Sequence, residues 1–178
     1  MVFSDVQIKH LLIGNGIIQC PKEPHIGPAS LDLRLGNTFK WMKANQVITL
    51  GERVEYHTEE IEDDDSFILG PHEFCLATTL ERVDLPINIA AFVQGRSSIG
   101  RAGLSTQNAG FVDPGFHGHI TLELKNETDC PIVLRPGYPV AQLVFMETSP
   151  VLHPYDGKYN DQVDATESRM YMDEEARA

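Results

Sequence analysis

Cysteine is scarce in this sequence: Cys20, Cys75 and Cys130 are all it has, an odd number set far apart. No C-x-x-C pair occurs, so neither a zinc knuckle nor a disulfide framework is indicated. Three reduced, mostly buried thiols are expected. Basic residues are short as well, 14 Lys and Arg against 26 Asp and Glu, for a net charge of −12. That balance argues against a nucleic-acid polymer as partner, because a phosphate backbone needs a basic footprint. It does not exclude a small anion, since a few convergent arginines and a divalent cation hold a triphosphate inside an acidic protein. No apolar run approaches the length of a bilayer span, so no membrane partner is expected. The N-terminal MVFSDVQIKH lacks the basic region and apolar core of a secretory signal, and the expected location is cytoplasmic. Internal repeats and linkers are missing too, so the 178 residues read as one domain, 1–178, with a sizeable core.

What is present is mostly short and alternating. The exception is an N-terminal helix, announced by a Ser4-x-x-Gln7 capping box with Phe3 and Ile8 at the staple positions. Gly14 is its expected C-cap, and Val6, Ile8, Leu11 and Leu12 form its packing stripe. Beyond it, SLDLRLG sets Leu31, Leu33 and Leu35 on one face and Ser30, Asp32 and Arg34 on the other. Further strands are expected over 38–42, 47–50, 66–69, 74–80, 89–93, 119–124, 132–134 and 139–147. Turn residues separate them, among them Gly36-Asn37, Gly70-Pro71, Pro114-Gly115 and Pro136-Gly137. Many short strands with this punctuation predict a mainly β fold, a barrel or double-sheet sandwich. The acidic EEIEDDD (59–65) reads as a solvated loop. From about Ser149 strand character fades into a tail, 149–178, that is either disordered or folded over a site; Tyr155, Lys158, Tyr159 and Gln162 give it recognition groups.

Three stretches carry candidate chemistry. GRSSIGR (95–101) combines glycines that admit close approach, the hydroxyls of Ser97 and Ser98, and the guanidinium groups of Arg96 and Arg101. It suits a polyphosphate, though it is not a Walker loop because no G-K-[ST] ends it. An ordinary turn with surface arginines fits those residues equally well. In AGFVDPGFHG (109–118), Asp113 precedes Pro114 and reads by itself as a turn initiator, or else as an acceptor for a sugar hydroxyl or a water. HITLELK (119–125) alternates, with Ile120, Leu122 and Leu124 on one face and His119, Thr121, Glu123 and Lys125 on the other. Glu123 is then either solvent-exposed or, if its face lines a pocket, a general base tuned by burial and kept ionised by Arg101. His117 and His119 lack a third metal ligand at sensible spacing.

Taken in order, SLDLRLG, GRSSIGR, AGFVDPGFHGHITLEL, RPGYPVAQLVF and GKYNDQ resemble the dCTP deaminase family, of the same superfamily as the trimeric dUTPases, over nearly the whole chain. The resemblance implies a distorted β-barrel or jelly roll, a homotrimer with sites between subunits, and no catalytic zinc. That agrees with the missing H-x-E…P-C-x-x-C signature of zinc deaminases. It implies Mg²⁺ bound through the nucleotide's phosphates. It implies that Glu123 shuttles protons for water attack at C4 of cytosine, with Ser97 and Arg101 positioning the water and the glutamate. The segment Arg96, Ser97, Ser98, Ile99, Gly100 and Arg101 would contact the triphosphate, and Asp113 the deoxyribose 3′-hydroxyl. Thr121, Leu122 and Glu123 would read the base; Gln142, Tyr155, Lys158 and Gln162 would add contacts, the last three from a tail that closes over the phosphates.

Within that family NAGFVDPGF is closer to the bifunctional, dUMP-forming members than to those that release dUTP. The implied enzyme hydrolyses dCTP to dUMP, ammonia and pyrophosphate, with Asp113 or Asp32 orienting a second water at the α-phosphate. A monofunctional deaminase is the alternative; a dUTPase or a non-catalytic nucleotide-binding module is further off. dUTP and dTTP are possible further ligands. Family members are commonly inhibited by dTTP through the loop before Asp113, and here GLSTQNAGF is one residue shorter, with Asn108 in place of the usual Thr.

Overall fold

Most of the expected period-two alternation becomes antiparallel sheet. The computed structural model describes residues 1–62, 64–106 and 110–173, with backbone alone for 13–15. Helix α1 (Asp5–Asn15) is followed by β1 (Ile18–Gln19), β2 (Leu31–Met42), β3 (Tyr56–Glu60), β4 (Phe67–Leu69), β5 (Phe74–Asp84) and β6 (Ile89–Gly95). Then come the short helix α2 (Ser97–Arg101), β7 (Leu104–Thr106), β8 (Phe111–Val112), β9 (His117–Asn126), β10 (Ile132–Leu134) and β11 (Pro139–Glu147), and a 3₁₀ turn at Met170–Met172. Nine strands form one sheet, along the path β7-β9-β5-β2-β11-β6-β8 with β1 beside β5 and β3 beside β2; β4 and β10 pair separately. The sheet curls into a half-barrel, the mainly β fold expected.

The curl turns on β2. Its first residues, Leu31–Arg34, pair with β11, while Leu35–Met42 pair with β5 and β3. Gly36-Asn37, expected to turn the chain, instead sits inside this strand, where the register with β5 shifts. A Cβ on Gly36 would lie 2.3 Å from Thr78 Cγ2, so glycine lets the two strands close up. Leu31, Leu33, Leu35, Phe39, Leu122, Leu124, Leu143 and Phe145 are fully buried and fill the curl. Apolar burial of this kind is the main driving force for such a fold.

Several local expectations are corrected. The capping box forms, with Gln7 Oε1 accepting from the Ser4 N–H at 3.0 Å, but the left-handed C-cap is Gly16 (φ 61°), not Gly14. In the stripe, Ile8 and Leu11 are buried while Val6 faces solvent. No strand forms over 47–50: Val47 and Leu50 are 90% and 86% exposed, in a loop held by Gln46 bonds to Lys43 and Glu55. β3 was not expected, and it takes Glu59 and Glu60 out of the supposed acidic loop, while Ile61 is buried. Of the three free cysteines only Cys75 is buried; Cys20 is half-buried and Cys130 exposed.

Candidate active site

The site is built around β9. Its alternation sends Ile120, Leu122 and Leu124 inward and leaves Thr121 and Glu123 half-buried on the other face. β9 is registered against β5 with Glu123 opposite Leu76 and Thr121 opposite Thr78. A cavity of about 410 Å³ opens beside these strands. Met42, Phe74, Leu76, Val93, Phe111 and Phe116 give it a largely apolar wall, and Glu123 is set into that wall. Burial pushes the Glu123 carboxyl above its ordinary value. The expectation that Arg101 keeps it ionised is not met within the chain: burial is the cause that acts on Glu123, and no bond among the described residues joins the two side chains.

The tail is ordered as a strap across this cavity through residue 173. Two glycines of DPGFHG make room for it. A Cβ on Gly115 (φ 93°) would lie 2.6 Å from Pro154 Cβ, and one on Gly118 (φ 142°) 3.0 Å from the Gln162 carbonyl. The strap then bonds to the rim of β9. The Tyr155 N–H donates to Pro114 O, the His119 N–H to Gln162 O, and the Thr166 N–H to Thr121 Oγ1 at 3.0 Å. Buried Gln162 donates from Nε2 to the His119 carbonyl at 2.7 Å, so this residue fastens the strap as well as lining the cavity. Tyr155 lines the cavity too, its ring against Phe116. Lys158 does not line it; its ammonium pairs with Asp173. Lys40 Nζ meets Glu167 at 2.6 Å and Arg53 stacks on Tyr171, which ties the strap's far end to the β2–β3 hairpin.

Asp113 sits in the turn, its backbone carbonyl accepting from the Phe116 N–H, and the exposed residue lines the cavity. The remaining expected residues lie elsewhere. Ser97, Ser98, Gly100 and Arg101 are exposed on α2, Ile99 leans on the core, and none of them lines the cavity. Gln142 is on β11, its Oε1 accepting from Ser30 Oγ at 3.4 Å. Arg96 caps α2 from a separate hollow with Asp32. One copy of the chain thus gathers Asp113, Thr121, Leu122, Glu123, Tyr155 and Gln162, and displays the α2 group on another part of its surface.

Sequence reading missed Tyr56, Thr106 and Ser168 as cavity residues, while Tyr159, read as a recognition group of the tail, does line the cavity. Burial pushes the Tyr56 phenol up, and the nearby Glu167, Tyr159 and Glu123 add to the shift. The two histidines serve the strap and the sheet: His117 Nδ1 lies 2.9 Å from Asp161, and His119 Nδ1 2.9 Å from the Thr79 carbonyl. Among the described residues no group of three or more His, Cys, Asp or Glu side chains is placed to hold a metal. Asn108 lies outside the described residues, with 107 and 109 on either side of it.

Comparison with known proteins places this geometry. A family model described as dCTP deaminase-like matches residues 2–148. A protein of Persephonella marina named "dCTP deaminase, dUMP-forming" is 40% identical over 180 residues, covering 98% of this chain and all of its own. One of the same name from Aquifex aeolicus is 43% identical over 185 residues, covering 100% of this chain and 99% of its own. Among solved structures, a 2′-deoxycytidine 5′-triphosphate deaminase from Agrobacterium tumefaciens superposes with a TM-score of 0.66 at 25% identity over 81% of this chain, which spans 47% of that one. The EIAV dUTPase shares the fold, with a TM-score of 0.51 at 22% identity over 79% of this chain and 96% of its own.

Proposed function

The chain belongs to the dCTP deaminase-like family, and from that premise we propose that it hydrolyses dCTP to dUMP, ammonia and pyrophosphate, with Glu123 moving the protons of deamination. The observation that carries this reading is the half-buried Glu123 carboxylate in a largely apolar cavity, its pKa raised by burial. A carboxylate so placed is a stronger base than an exposed one. It takes a proton from the water that attacks C4 of cytosine and delivers it to the ring nitrogen N3, then moves the remaining C4 hydroxyl proton to the amino group, which leaves as ammonia as the C4 carbonyl forms. Thr121 and Leu122, next to it on β9, face the base, and Asp113 at the mouth accepts from the 3′-hydroxyl. Tyr155 and Gln162 close the cavity from the strap, with Lys158 and Gln142 as outer contacts. The dUMP-forming outcome is supported by the names of both full-length relatives and by the NAGFVDPGF stretch, whose resemblance is to dUMP-forming members.

The phosphates fall to the Arg96–Arg101 segment, and the split geometry supports a homotrimer in which α2 of one copy meets the cavity of the next. Ser97 and Arg101 then arrive beside Glu123 from a neighbour, the contact one copy does not make. Closed cyclic assemblies join unlike surfaces of identical chains in this head-to-tail way. Because the described residues offer no metal cage, Mg²⁺ would take its ligands from the triphosphate and water, beside Arg96 and Arg101. When bound, it would offset charge on the departing pyrophosphate. The chain's own residues do the rest: Asp113, lining the cavity mouth, is the acid assigned to orient the second water.

The test is direct. Purified protein incubated with dCTP and Mg²⁺, its nucleotides separated by ion exchange, should yield dUMP and pyrophosphate with little free dUTP. Accumulating dUTP would show a monofunctional deaminase, and intact dCTP would overturn the reading. Glu123→Gln should lower ammonia release by about 100-fold or more while leaving dCTP binding largely intact.

A further inference from the structure

A further hollow, of about 260 Å³, lies against β2 and β11, lined by Glu23, His25, Asp32, Arg34, Arg96 and Pro139. Its charges are sorted unevenly. Arg34 is spent on the buried Glu81, Nε to Oε1 at 2.6 Å, and on the carbonyls of Lys22 and Glu23. Arg96 is held more sparingly. Its Nη1 donates to the Pro139 carbonyl at 3.1 Å, and its Nε faces Asp32 Oδ1 at 3.4 Å. Among the described residues Nη2 has no protein partner. Asp32 is itself fixed from behind: His25 Nδ1 lies 2.7 Å from Oδ2, and the Asp32 N–H donates to the His25 carbonyl at 3.0 Å. That contact places the neutral imidazole's proton on Nδ1, since a carboxylate only accepts. The Asp32 side chain is 9% exposed, with each oxygen facing a nitrogen partner.

A carboxylate so enclosed is poorly placed to orient an attacking water, the role one sequence reading gave it. It is well placed to hold a guanidinium. A free arginine side chain loses much rotamer freedom when it meets a phosphate, and a fork already fixed on two edges loses less. The geometry points to Asp32 as a positioning residue for the triphosphate: backed by His25, it holds Arg96 with one edge of its guanidinium presented for a phosphate oxygen. This inference rests on the reading of Arg96 as a phosphate contact.

The experiment is a double-mutant cycle on the full-length protein, with steady-state kinetics on dCTP reading ammonia and pyrophosphate separately. The wild type and Arg96→Ala test the underlying reading alone: dCTP turnover in the first, and a raised KM in the second. Asp32→Ala should raise KM for dCTP about 10-fold or more, with kcat within about twofold and the two products still equal. Adding Asp32→Ala to Arg96→Ala should raise KM little further, because the carboxylate acts through that arginine. Full additivity of the two KM effects overturns the proposal, as does Asp32→Ala that still releases ammonia but no longer forms pyrophosphate. If Asp32→Ala does not fold, Asp32→Asn, which keeps the shape and loses the charge, enters the same cycle with the same decision. An unchanged KM in Arg96→Ala, with dCTP still turned over, removes the phosphate role of Arg96 and this inference together, and leaves the assigned activity standing.

Discussion

Glu123 and Glu81 show two ways a carboxylate survives away from water. Glu123 has no cation partner among the described residues, and burial raises its pKa above the ordinary 4.5. The native state then binds that proton more tightly than the unfolded chain does. The group's contribution to stability is full below 4.5 and is lost as pH rises through the raised value. Glu123→Gln, neutral at every pH, should therefore melt above the wild type at about pH 7, with the gap closing as pH falls below the ordinary carboxylate value. A gap that stays constant across that range in thermal melts would mean the carboxylate is not strained by burial. Glu81 is fully buried but paired, accepting from the Arg34 N–H at 2.8 Å and from Arg34 Nε. Glu81→Ala leaves a mostly buried guanidinium without its counter-charge. It should cost about 3–5 kcal/mol in urea unfolding, and a joint Arg34→Met, Glu81→Leu replacement far less.

At the scale of elements, the strap is the part whose presence matters most to the cavity. It is held by backbone bonds to β9 and by a few side chains, not by a core of its own, so it opens at lower free energy than the sheet. Its closeness depends on Gly115 and Gly118. Gly118→Ala puts a Cβ at 3.0 Å from the Gln162 carbonyl, at a φ that alanine rarely adopts. The expected cost to docking is roughly 1–3 kcal/mol. Limited proteolysis should cut this variant's tail well before wild type, with the main unfolding transition nearly unchanged and KM for dCTP raised. Equal protection of the two tails would show that the glycine serves only the turn.

At the scale of the whole molecule, the cavity with Glu123 and the α2 surface with Ser97 and Arg101 lie apart in one copy. The proposed deaminase would then be active only as an assembly of copies. Mixing the inactive Glu123→Gln and Arg101→Ala proteins, after mild dissociation and reassociation, should restore activity to about a quarter of the sites, because a mixed ring holds some wild-type pairings. Sedimentation of the same sample reports the number of copies. No recovery in a mixture shown to have exchanged subunits would place both residues in one copy's site.

Local rules determined much of this. The Ser4–Gln7 box started its helix, and alternation in HITLELK gave β9, its buried face and the Glu123 position. The bounds of β11 were legible in PVAQLVFME. Those signals are short-range: a cap needs its own turn, and a strand's two faces follow from the pleat. The sequence was silent where partners distant along the chain decide. Gly36-Asn37 has turn composition, yet β5 and β11 draw it into a twelve-residue strand. VITL has strand composition, yet no neighbouring strand pairs it and it stays exposed. Tyr56 and Thr106 carry no motif and reach the cavity only because the sheet curls. Motif order named the chemistry, since residue types limit which protons and phosphates can be handled. Only the tertiary structure decided that Glu123 is half-buried in an apolar wall apart from Arg101, that Asp32 backs Arg96, and that the tail straps the cavity, because burial and distance arise from packing and are not written in any local pattern.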